Sequence, residues 1–145
     1  MLKIKKKELS GINVTLPYKQ KIIPFVDQLV NDAKSTNSVN TIFLDDTNTL
    51  VGENTDVFGL ECALIKKLES SNKQSALILG AGGVVPSIIY ALEKMKASRI
   101  IVSNRTKIKA ENLKKLFKDL FPLLIFSEYL SLNEPLLSNR KNIIY

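Results

Sequence analysis

Apolar and polar residues mix at short spacing through the first half of the chain and gather into unbroken apolar runs after residue 75. Residues 10–16, Ser-Gly-Ile-Asn-Val-Thr-Leu, are rich in β-branched side chains and predict a short strand ended by Pro17. Over residues 18–33 the apolar positions Ile22, Phe25, Val26, Leu29 and Val30 follow helical spacing. Because Pro24 interrupts this pattern, a short turn and then a helix starting near Pro24 are expected. Residues 38–44 and 49–53 predict two strands joined by the turn Asp45-Asp46-Thr47-Asn48. Thr55 or Asp56 offers an N-cap for a helix to Leu68, with Val57, Leu60, Leu64 and Leu68 on one face, and Ser70-Ser71-Asn72-Lys73 breaks it.

Beyond the break, Ser75-Ala76-Leu77-Ile78-Leu79 is the continuous run expected of a strand buried on both faces of a parallel sheet. Gly80-Ala81-Gly82-Gly83, a helical stretch over 84–96 and a second buried strand over 99–103 complete a βαβ unit. A further helix is expected over 107–121 and a third strand over 123–126. Residues 127–142 show no clear period, and Ile143-Ile144-Tyr145 has the texture of another strand.

Composition narrows the function classes. The 145 residues, 45% hydrophobic and 24% charged, are an ordinary amount of globular chain. No window holds the ~18 consecutive apolar residues of a membrane span, and residues 1–7 are too charged to begin a signal peptide. A lone cysteine, Cys62, excludes an internal disulfide, and the absence of histidine excludes His-based triads and His-liganded metals. No metal is expected, and reducing cytoplasm is the expected compartment. The net charge of +7 comes from 18 lysines and only three arginines, most of them scattered. That pattern suits a solvated basic surface or a small anionic ligand better than nucleic acid, which favours Arg forks and aromatic stacking.

The glycine loop stands where a dinucleotide fingerprint belongs, after a buried strand and opening a helix. Gly80 serves the tight turn, and Gly82 lets the backbone approach a pyrophosphate. Ala81, Gly83 and Val84 complete the cradle at the helix N-terminus, whose free N–H groups favour an anion. A purely structural strand-to-helix turn would use glycine for the same steric reasons. Val85 replaces the third small residue of the fingerprint and is expected to loosen helix–strand packing, while Pro86 suits the first turn. At the end of the second strand, Ser103-Asn104-Arg105-Thr106 lacks the carboxylate that accepts hydrogen bonds from an NAD ribose. Arg105 can pair with a 2′-phosphate and Lys107 or Lys109 can add charge, so NADP(H) is the expected cofactor. The alternative is a helix cap at Thr106 flanked by exposed basic residues.

Taken singly, the polar groups of the first half read as strand residues, a surface lysine and a helix cap. Together, Asn-Val-Thr-Leu-Pro-Tyr-Lys (13–19), Val-Asn-Thr-Ile (39–42), Gly-Glu-Asn-Thr-Asp-Val-Phe-Gly (52–59), Gly-Ala-Gly-Gly (80–83) and Asn-Arg-Thr (104–106) resemble the shikimate dehydrogenase family. The segments keep the family's order over about residues 9–121. The resemblance implies an α/β substrate-binding domain, a Rossmann-type NADP-binding domain with a doubly wound parallel sheet, and an active site between them. It further implies NADPH-dependent reduction of 3-dehydroshikimate to shikimate in aromatic amino-acid biosynthesis. By motif, Lys19 matches the catalytic lysine and Asp56 its partner carboxylate, both contacting the reacting hydroxyl, while Thr15 and Asn40 match residues that bind ring hydroxyls. Asn104, Arg105, Thr106 and Lys109 fall with the glycine loop among the cofactor-binding positions.

Some family segments have no counterpart here. They are the upstream Ser-x-Ser-Pro that holds the substrate carboxylate, the Asn-Ala-Thr-x-x-Gly-Met beside the nicotinamide, and a C-terminal glutamine. Residues 122–145 match nothing in the pattern. The chain is therefore expected to be the central part of such an enzyme: residues 1–56 a partial substrate-binding domain, residues 57–145 a linking helix and a partial Rossmann domain. The expected partner is a small-molecule substrate, without nucleic acid or membrane, in a monomer or homodimer. Quinate/shikimate dehydrogenase and a truncated, non-catalytic NADP-binding remnant stay open as alternatives. An open sheet edge is expected too.

Overall fold

The computed structural model describes residues 1–68 and 75–118 and the strand 124–127, with backbone alone for 66–68 and 124–127. The expectations for 69–74, 119–123 and 128–145 lie outside the described residues. The chain is α/β, and its described residues form two sheets and two hydrophobic clusters.

The first sheet contains β1 (Gly11–Asn13), β2 (Gln28–Leu29), β3 (Thr41–Leu44) and β4 (Leu50–Glu53) in the order β1-β3-β4-β2. β3 runs antiparallel to both β1 and β4, and β2 lies parallel to β4. The β3–β4 turn forms where expected because Asp45 caps it. Its Oδ1 accepts the backbone N–H groups of Thr47 (2.9 Å) and Thr49 (2.8 Å), and Asn48 takes φ 60°. These donors, the Thr47 hydroxyl foremost, hold the Asp45 carboxyl below its usual range.

The helix expected from Pro24 to residue 33 is not there. A 3-10 turn at Ile23–Phe25 is followed by extended Val26, β2, and only then the short helix α1 (Asn31–Thr36). Tertiary pairing overrides the helical spacing. Asp27 N–H donates to the Leu50 carbonyl (2.8 Å), Val30 N–H to the Gly52 carbonyl (3.2 Å), and Leu50 N–H to Asp27 Oδ2 (2.9 Å). Val26 and Leu29 still bury against the cluster of Ile4, Val14, Ala33, Val39, Ile42 and Leu50, reaching it from a turn and strand instead of a helix face. The expected 10–16 strand is shortened to three residues, and residues 2–5, for which no element was expected, form one helical turn that buries Ile4.

α2 (Asp56–Leu68) leads to the second sheet, β5 (Ser75–Leu79), β6 (Arg99–Ser103) and β7 (Leu124–Ser127), all parallel in that order. α3 (Val85–Lys94) joins β5 to β6, and α4 (Lys107–Leu116) follows β6. Pro86 sits in the first turn of α3. The apolar runs bury as expected: Ala76, Ile78, Ile100 and Val102 pack with Ile89, Leu92, Leu113 and Phe117. Val85 is 4% exposed in this cluster, so the larger side chain fills the helix–sheet interface and does not loosen it. Among the described residues β5 pairs with β6 alone and forms an edge. No helix among the described residues is long and apolar enough to cross a membrane.

Candidate functional site

The ends of β3 and β4 and the first turn of α2 converge on Lys19. Three backbone hydrogen bonds fix the segments: Val39 N–H to the Lys19 carbonyl (2.9 Å), Val14 N–H to Asn40 (2.7 Å) and Asn40 N–H to Glu53 (2.9 Å). Lys19 Nζ then meets Asp56 Oδ2 at 2.6 Å, with the two side chains 13% and 24% exposed. Asn40 Nδ2 donates to the other carboxylate oxygen, Asp56 Oδ1 (2.8 Å), and to Thr55 Oγ1 (3.0 Å). Asn40 Oδ1 accepts the Thr55 backbone N–H (3.0 Å) and the Thr41 hydroxyl (3.1 Å). Asp56 thus has both oxygens held, and an ammonium with three donors spends one on it, leaving two for a ligand. Thr15, four residues from Lys19, is exposed; its carbonyl accepts Tyr18 N–H (2.8 Å) and closes the turn that leads to Lys19.

The glycine loop faces this group. A cleft of about 780 Å³ runs between Leu16, Pro17 and Lys19 on one wall and Ala81, Gly82 and Gly83 on the other, with Lys109 of α4 also lining it. Gly80 has φ +107°, a conformation that L side chains rarely adopt, and its N–H donates to the Ser103 carbonyl (2.7 Å). A Cβ on Gly82 would meet nothing within 4 Å, so an anionic group can come up to the backbone there beside the N-terminus of α3. A Cβ on Gly83 would meet the end of the exposed Leu16 side chain, so the two walls of the cleft come into contact there. Val84 is 41% exposed at the N-cap of α3. These features fit a dinucleotide phosphate, with a basic residue at hand.

Asn104, Arg105 and Thr106 lie between β6 and α4 and do not line this cleft. Asn104 Nδ2 donates to the Thr106 carbonyl (2.8 Å) and shapes the loop. Arg105 is exposed, and Thr106 occupies the N-cap of α4 without a side-chain capping bond. Two residues outside the expected set are built into the site: Thr55, on Asn40, and the buried Asn54, whose Oδ1 accepts the Asp56 N–H at 3.0 Å. Asn-Thr-Asp before a helix signals a cap, but not which polar group of the cap faces inward.

The match to known proteins agrees with this geometry. The profile of the shikimate / quinate 5-dehydrogenases matches residues 63–135, half of the chain, and so takes in residues 122–135, for which no family likeness was expected; that of the shikimate dehydrogenase substrate binding domain matches residues 1–42. The chain belongs to the shikimate/quinate dehydrogenase family. The shikimate dehydrogenase (NADP(+)) of Pelagibacter ubique is 47% identical over 117 residues, 81% of this chain and 44% of that protein. A shikimate dehydrogenase crystallised with NADP+ superimposes with a TM-score of 0.74 at 34% identity, covering 85% of this chain and 44% of the other. The quinate dehydrogenase of Corynebacterium glutamicum in complex with NAD gives a TM-score of 0.76 at 26% identity over 87% of this chain and 45% of the other. The chain thus spans less than half the length of these shikimate/quinate dehydrogenase relatives.

Proposed function

We propose that this chain carries the proton-delivering and nucleotide-binding core of an NADPH-dependent shikimate dehydrogenase, which interconverts 3-dehydroshikimate and shikimate. Residues 1–56 would serve the substrate and residues 57–145, with α2 as the link, the cofactor. The observation that carries this reading is the Lys19–Asp56 pair at 2.6 Å beside the cleft walled by the glycine loop.

When bound, NADPH supplies the hydride that reduces the substrate carbonyl. The residues of the chain handle the accompanying proton and the orientation. The oxygen of the reduced carbonyl gains negative charge, and the Lys19 ammonium donates a proton to it, giving the hydroxyl and a neutral amine that solvent reprotonates. Asp56 Oδ2 fixes the direction of Lys19 Nζ, and Asn40 keeps the carboxylate from turning away. Asn40 and Thr15 are assigned to the ring hydroxyls. Gly80, Ala81, Gly82, Gly83 and Val84 are assigned to the pyrophosphate side of the cofactor, and Asn104, Arg105, Thr106 and Lys109 to its 2′-phosphate side. The missing carboxylate after β6 and the name of the Pelagibacter relative support NADP(H) over NAD(H). We place the enzyme in the cytoplasm, where the unpaired Cys62 stays reduced, as a monomer or homodimer that needs neither nucleic acid nor membrane.

The test is NADPH oxidation by the purified chain with 3-dehydroshikimate, with 3-dehydroquinate as competitor substrate and Lys19→Ala as control. Turnover that disappears in the control supports the reading. Faster turnover of 3-dehydroquinate moves the assignment to quinate. NADPH binding without any turnover would identify a nucleotide-binding remnant.

A further inference from the structure

The carboxamide of Asn54 touches both halves of the site at once. It is 2% exposed, and all of its polar atoms are engaged. Oδ1 accepts the N–H of Asp56 at the start of α2 (3.0 Å). Nδ2 donates to Thr36 Oγ1 of α1 (2.9 Å) and to Ser87 Oγ of α3 (3.0 Å). Thr36 and Ser87 are fully buried, and Thr36 is itself tied to the Asp32 carbonyl (2.6 Å). Ser87 belongs to the helix that opens directly after the glycine loop. One side chain therefore holds the residue that carries the carboxylate and also the helix that carries the phosphate cradle.

The buried apolar clusters of the two sheets are separate, and where α1 and α2 pack on α3 Asn54 adds a directional polar tie. A reaction that joins a hydride from one wall of the cleft to a proton from the other needs the walls in register. A misplacement of about 1 Å costs roughly 10²-fold in rate. A buried carboxamide with both donors and its acceptor satisfied is a rigid spacer, since any movement would leave a polar group unpaired.

We propose that Asn54 is a positioning residue: it holds Asp56, and through it Lys19, in register with the glycine loop by way of Ser87. The catalytic side of this proposal rests on the dehydrogenase reading above; the structural side does not. The experiment uses the 145-residue chain with Asn54→Ala and Ser87→Ala. For Ser87→Ala, kcat is expected to fall about tenfold, with KM for NADPH and for 3-dehydroshikimate within about twofold, as a lost register demands. Asn54→Ala, which also removes the hydrogen bond to the Asp56 N–H, is expected to lose about a hundredfold in kcat. A ligand-free readout goes alongside: the 13Cε resonance of Lys19 should move in Asn54→Ala, because the backbone that carries its carboxylate partner loses the hydrogen bond that fixes it. An unchanged kcat in Ser87→Ala, or a loss carried by KM, would overturn the proposal, and so would a wild-type Lys19 resonance in folded Asn54→Ala. If Asn54→Ala does not fold, Ser87→Ala decides through the split of kcat from KM. If the wild-type chain turns nothing over, the dehydrogenase reading fails, and the Lys19 resonance still decides whether Asn54 holds the pair.

Discussion

Lys19 and Asp56 stand 37 positions apart and meet at 2.6 Å, although no regular element contains Lys19. Lys19 is brought there by the turn from Thr15 to Tyr18 and by its carbonyl, which accepts the Val39 N–H just ahead of β3. Asp56 is brought there by the start of α2. If Lys19 delivers the proton, Lys19→Met should lower kcat by about 10²–10⁴-fold while NADPH affinity stays within about twofold, since general acid catalysis contributes on that scale. Stopped-flow hydride transfer and fluorescence titration of NADPH measure the two separately. Near-normal turnover, or a loss confined to NADPH binding, would remove Lys19 from the chemistry.

Two glycines should separate function from stability. Gly82 faces open space, so Gly82→Ala should leave the unfolding free energy within about 0.5 kcal/mol, as for substitutions away from packed features. The same methyl would stand where a phosphate approaches, and losing a charge-assisted hydrogen bond of about 1.5–3 kcal/mol would weaken NADPH binding by roughly 10–100-fold. Gly52 is the opposite case. A Cβ there would lie 3.0 Å from Val39, 3.2 Å from Leu29 and 3.3 Å from Val26. Gly52→Ala should therefore cost about 1–3 kcal/mol by overpacking. Urea unfolding of both variants checks the contrast, and equal destabilisation would contradict it.

Cofactor choice is assigned to Arg105. It is exposed, and no carboxylate stands in the loop after β6. Arg105→Ala should weaken NADPH by about 10–100-fold, the worth of a charge-assisted pair of about 1.5–3 kcal/mol, and leave NADH unchanged. Titration of both nucleotides against wild type and variant measures this. Equal losses for NADPH and NADH would show that Arg105 does not read the 2′-phosphate.

The second half of the chain was more legible than the first, and for a physical reason. The three central residues of β5 and of β6 are all buried, so on these two strands both faces are covered and apolar runs mark them directly, and the predicted 75–79 and 99–103 strands match the observed bounds. Residues 18–33 misled because Ile22, Val26 and Leu29 have helical spacing but reach the core, partly buried, from a turn and from β2, whose pairing with β4 is a long-range event that local periodicity does not carry. For the site, motif resemblance pointed to Lys19, Asp56 and Asn40, and the structure brings these three together. It could not show that Leu16 reaches Gly83 across the cleft, nor that Asn54 faces inward onto Ser87. Both depend on contacts between segments that the sequence does not align.

A second tie between the halves is ionic and should be pH-dependent. Lys94 of α3 meets Glu61 of α2 at 2.8 Å and lies 3.8 Å from Asp32 of α1, with its ammonium 5.9 Å from the centre of the Tyr90 ring. The hydrogen bond to Glu61 is the main cause that raises the Lys94 pKa above the usual 10.5, against an opposing cost of burial. A base whose pKa is higher in the folded state adds stability in full below its unfolded value, and that stability fades as pH rises through the folded value. The contribution is therefore constant around neutrality and lost only above pH 10.5. Lys94 is 38% exposed, so solvent screening limits the tie to about 1 kcal/mol or less. Lys94→Met should thus unfold slightly more easily than wild type at pH 8, and the gap should close as pH rises past the lysine range. Urea midpoints of the pair at several pH values measure the gap, and one that widens at alkaline pH would mean that Lys94 is held by packing and not by its charge.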